Sequence, residues 1–321
     1  MNIADWLMAN GDSLQFTLFF ALLGALMVAE RWLPRRRGSM DRAFRWPANG
    51  FLTLVNLVAM TALPVSFISA ALWAGSNGIG VLNLVPLPWM AVAPVTLLVR
   101  AFISFATHYL NHHVAWFWRV HRVHHLDTEL DVTTTVRFHP LEFAIGLVPG
   151  VPIVVAFGLA PWILVAYETL DVVITLWSHS NVRLPEGIDR VLRYVVVTPD
   201  LHRVHHSAWV PETNSNFGAV FPIWDLVFGT FRAAPRDGHA AMRLGLDEVR
   251  GRDAHRPLWL LGSVMHDTLG GAKHTESQKA EGKRQTPKTE SETRRTKQSC
   301  FAFCILPSDF FSVLSRQACR A

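Results

Sequence analysis

Read for its apolar and polar positions, this chain alternates long oily runs with short charged ones. Leu14 to Leu33 carries one acidic residue, near its end, and Phe51 to Ala74 carries no charge. Leu87 to Thr107 is apolar apart from Arg100. A helix needs about 20 apolar residues to cross a bilayer, so each of these three runs predicts one span. A fourth run, Phe143 to Trp177, is interrupted by Pro149, Pro152 and Pro161. It is too long for one crossing and predicts a hairpin of two helices turning near Gly158 to Pro161. Buried helices of a large soluble protein are the competing reading, but these seldom lack a polar face for 20 residues.

Charge orients the spans. The segment RWLPRRRGSMDRAFR places six arginines within 15 residues directly behind the first run. Arginine-rich loops stay on the cytoplasmic side, which puts the N-terminus outside. The start, MNIADWLMANGDS, is acidic, and the run behind it is too long for a cleaved signal peptide. The second span then leaves the cytoplasm, the third returns, and the hairpin departs from and comes back to the inner face.

Composition supports a membrane protein and narrows its chemistry. Half of the 321 residues are hydrophobic and only 17% are charged. The net charge of +5 resides in the tail, where ten Lys and Arg face five Asp and Glu from Lys273 onward. The body is therefore close to neutral, which argues against nucleic acid as a partner. All three cysteines, Cys300, Cys304 and Cys319, fall in the last 22 residues, so the body has no disulfide and no thiolate metal site. The stretch from Lys273 to Ser299 is almost free of apolar residues, and a disordered tail is expected over 272–321.

The histidines carry the chemistry. The pentapeptide HRVHH occurs at His121–His125 and again at His202–His206, 81 residues later. No longer repeat surrounds it. On a helix, positions i, i+3 and i+4 share a face, so each copy presents three imidazoles together. His108 and His112 add an i, i+4 pair, His179 ends the hairpin, and His139 lies between. All ten fall on the cytoplasmic side of a topology drawn from arginines alone. Imidazole suits zinc, copper, iron and nickel, and ten donors exceed the six that one ion accepts, which predicts two metal ions. His139 has a second reading, as a residue that positions a ligand. There is no H-E-x-x-H motif of a metalloprotease and no dinucleotide fingerprint. Glu168 and Asp171, three apart inside the hairpin, are costly in a membrane and predict a function or a partner, with Arg100 as the candidate. Asp131, Arg137 and Glu142, in DVTTTVRFHPLE, are expected to support the site or lock its loop.

Taken together, HYLNH, HRVHHLD, DVTTTVRFHPLE, WSHSNVRLP, TPDLHRVHHS and NFGAVFPIWDLVFGTF resemble the fatty acid hydroxylase/sterol desaturase superfamily, in particular its bacterial membrane proteins. The likeness runs from about Phe102 to Arg232. It implies a non-haem centre of two iron ions held by His108, His112, His121, His124, His125, His179, His202, His205 and His206. It also implies O2-dependent hydroxylation or desaturation of a sterol-like or fatty acyl C–H bond. The electrons would come from a separate cytochrome b5-like, ferredoxin-like or rubredoxin-like donor. The expected fold is an all-α, multi-pass membrane bundle of about 4–5 inserted helices with a cytoplasmic helical cap. Residues 1–98 would form the N-terminal membrane helices and 99–235 the catalytic domain, with its hairpin at 143–178. Residues 236–271 would extend it. The location expected is a bacterial cytoplasmic membrane, with the site on the inner face. The alternative is a histidine-rich metal-binding protein or transporter without oxygenase activity, but a transporter should hold its ligands at mid-membrane on broken helices.

Overall fold

Helices account for every regular element among the described residues, which are 1–37 and 42–265 of the computed structural model. The chain is divided after His274. All described residues precede that division, and the disordered tail expected at 272–321 lies outside them.

The first helix, α1, runs from Ile3 to Trp32 and is capped by the Asn2 side chain, which accepts from the Asp5 amide at 2.9 Å. α2 spans Arg42–Thr61, α3 Phe67–Ser76, the single turn α4 Val81–Leu84, and α5 Trp89–His113. α6, Ala115–His125, turns off the end of α5 and carries the first histidine pentapeptide. The hairpin follows as α7, Leu141–Phe157, and α8, Pro161–His179. Gly158 makes the turn in the left-handed region at φ 65°, and Pro161 opens α8 with its preset φ. α9 is Glu186–Leu192, and α10, Pro199–His205, carries the second pentapeptide. Thr198 caps α10, accepting from the Leu201 amide at 3.2 Å, and Pro199 occupies its first turn.

Three segments are long and apolar enough to cross a membrane among the described residues: Ile3–Trp32, Phe67–Leu84 and Trp89–His113. The second corrects the expectation of one span over Phe51–Ala74. The chain breaks between Thr61 and Ser66, around Pro64, where the proline cannot continue the helical bonding. Ser66 then caps α3 in a reciprocal pair with Ser69. α2 is drawn elsewhere by its buried polar residues, Arg45, Asn49 and Asn56, which bond the loop after α6.

The two ends of the bundle are distinct. At one end Gly80, at φ 102°, lies so close to Gly158 that any side chain on it would overlap that backbone. This brings the α3–α4 turn against the hairpin turn. Around that contact Ala70, Ala71, Ile103, Val154, Leu159 and Leu164 form a buried apolar cluster. At the opposite end the exit of α1 meets the exit of α8. The Arg35 amide donates to Asn181 O at 2.7 Å and the Arg183 amide to Leu33 O at 2.8 Å. Glu30, 1% exposed, closes this joint by accepting from the Val132 and Asn181 amides at 2.7 and 2.8 Å. The arginine-rich loop and both histidine pentapeptides lie at this second end. A separate core of Leu52, Trp118, Val123, Leu126, Leu246 and Leu260 builds the cap there.

Candidate metal centre

Nine of the ten predicted histidines converge into two groups. His108, His112, His121, His125 and His205 form one, and His124, His179, His202 and His206 the other. Within each group the ligand nitrogens all lie within 4.8 Å of one another. The two pentapeptides are shared out crosswise. The first sends His121 and His125 to the five-membered group and His124 to the other. The second sends His202 and His206 to the four-membered group and His205 across. Positions i and i+4 stack along a helix, whereas i+3 leans to the side, so α6 and α10 facing each other each serve both groups.

The outer nitrogens fix the inner ones. His108 Nδ1 donates to Phe217 O at 2.8 Å, His205 Nδ1 to Ser215 O at 2.7 Å and His179 Nδ1 to Thr175 O at 2.7 Å. His121 Nδ1 donates to Glu142 Oε1 at 2.6 Å and His112 Nδ1 to Asn214 Oδ1 at 3.1 Å. A ring that donates from Nδ1 while neutral has a bare lone pair on Nε2. His108 and His121 therefore point two lone pairs at each other across 3.1 Å, an arrangement that is repulsive unless a cation shares them. His112 Nε2 and His205 Nε2 are buried with no hydrogen-bond partner. In the second group His179 Nε2 lies 3.1 Å from His124 Nε2 and 2.9 Å from His202 Nε2. The donor set and its orphaned lone pairs fit metal ions, and the acceptors behind His108, His112, His121, His179 and His205 are the outer partners such sites use to hold a tautomer.

Electrostatics agree. Burial, reinforced by neighbouring imidazoles, holds His124, His125, His202 and His206 well below the ordinary histidine range. His205 is pushed down to about 3, first by burial and then by His121. These rings stay neutral, the state in which imidazole ligates.

His139 is the exception among the expected ligands. It is brought to neither group, because both its ring nitrogens face the backbone. Nε2 lies 3.1 Å from Leu261 O, and Nδ1 accepts from the Leu141 amide at 3.2 Å, at the start of α7. Its bonds describe the positioning alternative. Of the residues expected to support the site, Glu142 holds His121, and Asp131 and Arg137 lock the loop below it. Arg137 reaches Val123 O at 2.9 Å and Asn49 Oδ1 at 2.9 Å, and Asp131 accepts from Arg45 at 2.8 Å.

The loop Asn214–Gly218, which supplies three of the outer acceptors, was not foreseen as part of the site. Asn216 sits in the left-handed region at φ 55° and is held on three sides. Its amide donates to Leu201 O and Arg232 O, and its Oδ1 accepts from the Arg232 amide. Asp225 accepts from the Phe217 and Gly218 amides at 2.7 and 2.8 Å. An asparagine-rich TNSNFG stretch ahead of a buried aspartate is the signal that was present.

A cavity of about 720 Å³ opens beside the histidines, with His108, His121, His124, His179 and His202 in its wall. It extends toward the apolar side chains Met60, Val65, Phe67, Phe143 and Leu147. Its size lies in the range of small-molecule sites.

Residues 93–230 match the family model described as fatty acid hydroxylase. Ornithine lipid hydroxylase OlsE of Rhizobium tropici is 34% identical over 148 residues, which cover 44% of this chain and 41% of that protein. Human alkylglycerol monooxygenase is 28% identical over 39% of this chain and 27% of its own length. Cholesterol 25-hydroxylase of Rattus norvegicus is 27% identical over 41% of this chain and 43% of its own. The chain thus spans less than half the length of these relatives. No solved structure matches.

Proposed function

We propose that this chain, whose residues 93–230 match the fatty acid hydroxylase family model, is an integral membrane oxidoreductase of that superfamily that uses O2 to hydroxylate or desaturate a lipid C–H bond. The observation that carries the reading is the opening of two buried histidine groups into one largely apolar cavity. The relatives whose names describe hydroxylation or monooxygenation of lipids support the same chemistry.

His108, His112, His121, His125 and His205 would hold one iron ion and His124, His179, His202 and His206 a second. The iron, when bound, supplies the one-electron chemistry by which O2 is activated. In hydroxylation a lipid C–H, O2, two electrons and two protons give an alcohol and water. In desaturation the same inputs give an alkene and two waters. The electrons come from a separate donor protein of the cytochrome b5, ferredoxin or rubredoxin type. The protein's own work is positional. Glu142, Asn214 and the carbonyls of Thr175, Ser215 and Phe217 aim the rings, and the apolar wall excludes water and admits the chain of a lipid. Within the unit we assign residues 1–98 to membrane anchoring, 99–235 to catalysis and 236–271 to an extension. We place the site at the cytoplasmic face, on the side of the arginine loop.

Gently purified protein is expected to contain about two irons per chain by elemental analysis, because nine clustered imidazoles exceed one ion's coordination. Lipid extracts of cells with and without the gene should differ by an oxidised lipid. A single tightly held zinc, with no binuclear iron signal after anaerobic iron loading, would overturn this reading. It would favour a metal-binding protein or transporter instead.

A further inference from the structure

The cavity has a second polar end. On α5, Arg100 and Ser104 lie on the cavity wall below His108, and on α8, Glu168, Asp171 and Thr175 lie below His179. Eight residues separate Arg100 from His108, and eight separate Asp171 from His179. At 1.5 Å per residue, both helices place the charged group about 12 Å from the histidines, toward the membrane interior.

At this end two carboxyl groups share one guanidinium. Arg100, 7% exposed, donates to Ser104 Oγ at 2.6 Å, and its guanidinium lies 4.8 Å from the centroids of both Phe67 and Tyr167. Among the described residues no ion pair within 4.0 Å joins it to Glu168 or Asp171, but its charge acts on both carboxyl groups, so the partnership expected from the sequence is one at longer range. Arg100 Nε and Asp171 Oδ1 are buried without a hydrogen-bond partner. Two carboxyl groups and one guanidinium thus face a common space at membrane depth. Ionisable groups at such depth are retained where they pair or bind something, and here two carboxyl groups share one cation.

Building on the oxygenase reading, we propose that this end recognises a cationic amine carried by the lipid substrate. An ammonium supplies a second positive charge and three donors for carboxyl oxygens. Arg100, pinned by Ser104 and the two rings, keeps the pair of acids from repelling one another without occupying the space between them. A fatty acid would bring a third anion to the site, and a neutral alcohol would leave the charge unmatched. An extended chain advances roughly 1.2 Å per single bond, so the C–H nearest the histidines lies on the order of ten bonds from the amine.

The test compares oleylamine, oleyl alcohol and oleate as ligands for the purified full chain in detergent, by displacement of a fluorescent lipid, with and without iron. The amine is expected to bind at least tenfold more tightly than either neighbour. Glu168→Gln and Asp171→Asn should each remove most of that preference while leaving alcohol affinity and iron content unchanged. Equal binding of amine and alcohol, or an amine preference that survives both variants, would overturn the proposal. Were the acids to serve proton delivery instead, the variants would keep amine binding and slow turnover with an enlarged solvent isotope effect, which also overturns it. Because binding is read on iron-free protein too, the two readings fail separately. Amine preference without lipid oxidation removes the oxygenase assignment alone, and oxidation of lipids without amine preference removes this inference alone.

Discussion

Five imidazoles of the centre have two nitrogens with different duties, and the sharing of both pentapeptides between the two groups explains why the same five letters appear twice. In His108, His112, His121, His179 and His205 one nitrogen is held by a carbonyl, a carboxylate or an amide oxygen, and the other faces the ion site. Because each pentapeptide feeds both groups, no pair of adjacent histidines belongs to one group. His124 and His125 divide between them, as do His205 and His206. Replacing His124 and His125 with Ala therefore opens both groups at once, and so does replacing His205 and His206. Each double variant is expected to lose at least about 100-fold in activity together with most of its iron. The quadruple variant should look little worse, since residues acting as one unit are strongly non-additive. Elemental analysis and product formation on the three variants check this. Losses that add, with one metal retained in each double variant, would mean two independent sites. The clustering was legible from spacing alone, because i, i+3, i+4 fixes a face. The crosswise division was not, because it depends on how α6 and α10 meet. The carbonyls of Thr175, Ser215 and Phe217 left no trace either, since any residue supplies a carbonyl.

At the scale of elements, the site is held by a brace that hydropathy does not reveal. Arg45 on α2 is fully buried and donates to both Asp127 oxygens, at 2.5 and 2.8 Å, and to Asp131 at 2.8 Å. Asp127 follows the first pentapeptide by two residues, so α2 grips the end of α6. Burial alone would push Asp127 up, but the Arg45 guanidinium outweighs it and holds the carboxyl below the usual range. A comparable pair secures α10, where Asp200 accepts from Arg35 at 2.9 Å and from Arg203 at 2.7 Å. Arg45→Met should destabilise the protein by about 3–5 kcal/mol, the usual cost of leaving buried carboxylates without their cation. Arg35→Met should cost less, since Arg35 is partly exposed and Arg203 remains. Thermal denaturation of the two variants in one detergent checks the order, and equal losses would mean that the α2 brace carries no special weight. The same brace accounts for the misplaced second span. An apolarity count over Phe51–Ala74 registers neither the break at Pro64 nor the pull of Arg45, Asn49 and Asn56 toward the cap. The hairpin was read correctly because Gly158 and Pro161 are themselves the breakers.

For the whole unit, the argument turns on which ends share a side of the membrane. The α1 exit, with Arg35 and Arg36, is bonded to the chain just past α8 through Asn181 and Arg183. The histidines of α6 and α10 lie at that same end, while Gly80 and Gly158 mark the other. Positive loops remain on the cytoplasmic side, so the metal groups should face the cytoplasm, where soluble electron donors are available. Single cysteines test this in a background with Cys300, Cys304 and Cys319 changed to Ser. Arg37→Cys and Glu186→Cys, both at exposed positions of the arginine end, should resist a membrane-impermeant maleimide in intact cells and react after permeabilisation. Leu87→Cys, exposed in the loop after α4, should react in intact cells. Labelling of Arg37→Cys and Leu87→Cys from the same side would show that the segment from α2 through α4 does not carry the chain across. Labelling of Arg37→Cys and Glu186→Cys from opposite sides would contradict the bonded joint between α1 and α8. A full reversal, with the arginine end outside, would keep the fold and the metal groups but deny them a cytoplasmic reductant, and the donor would have to be sought on the other face.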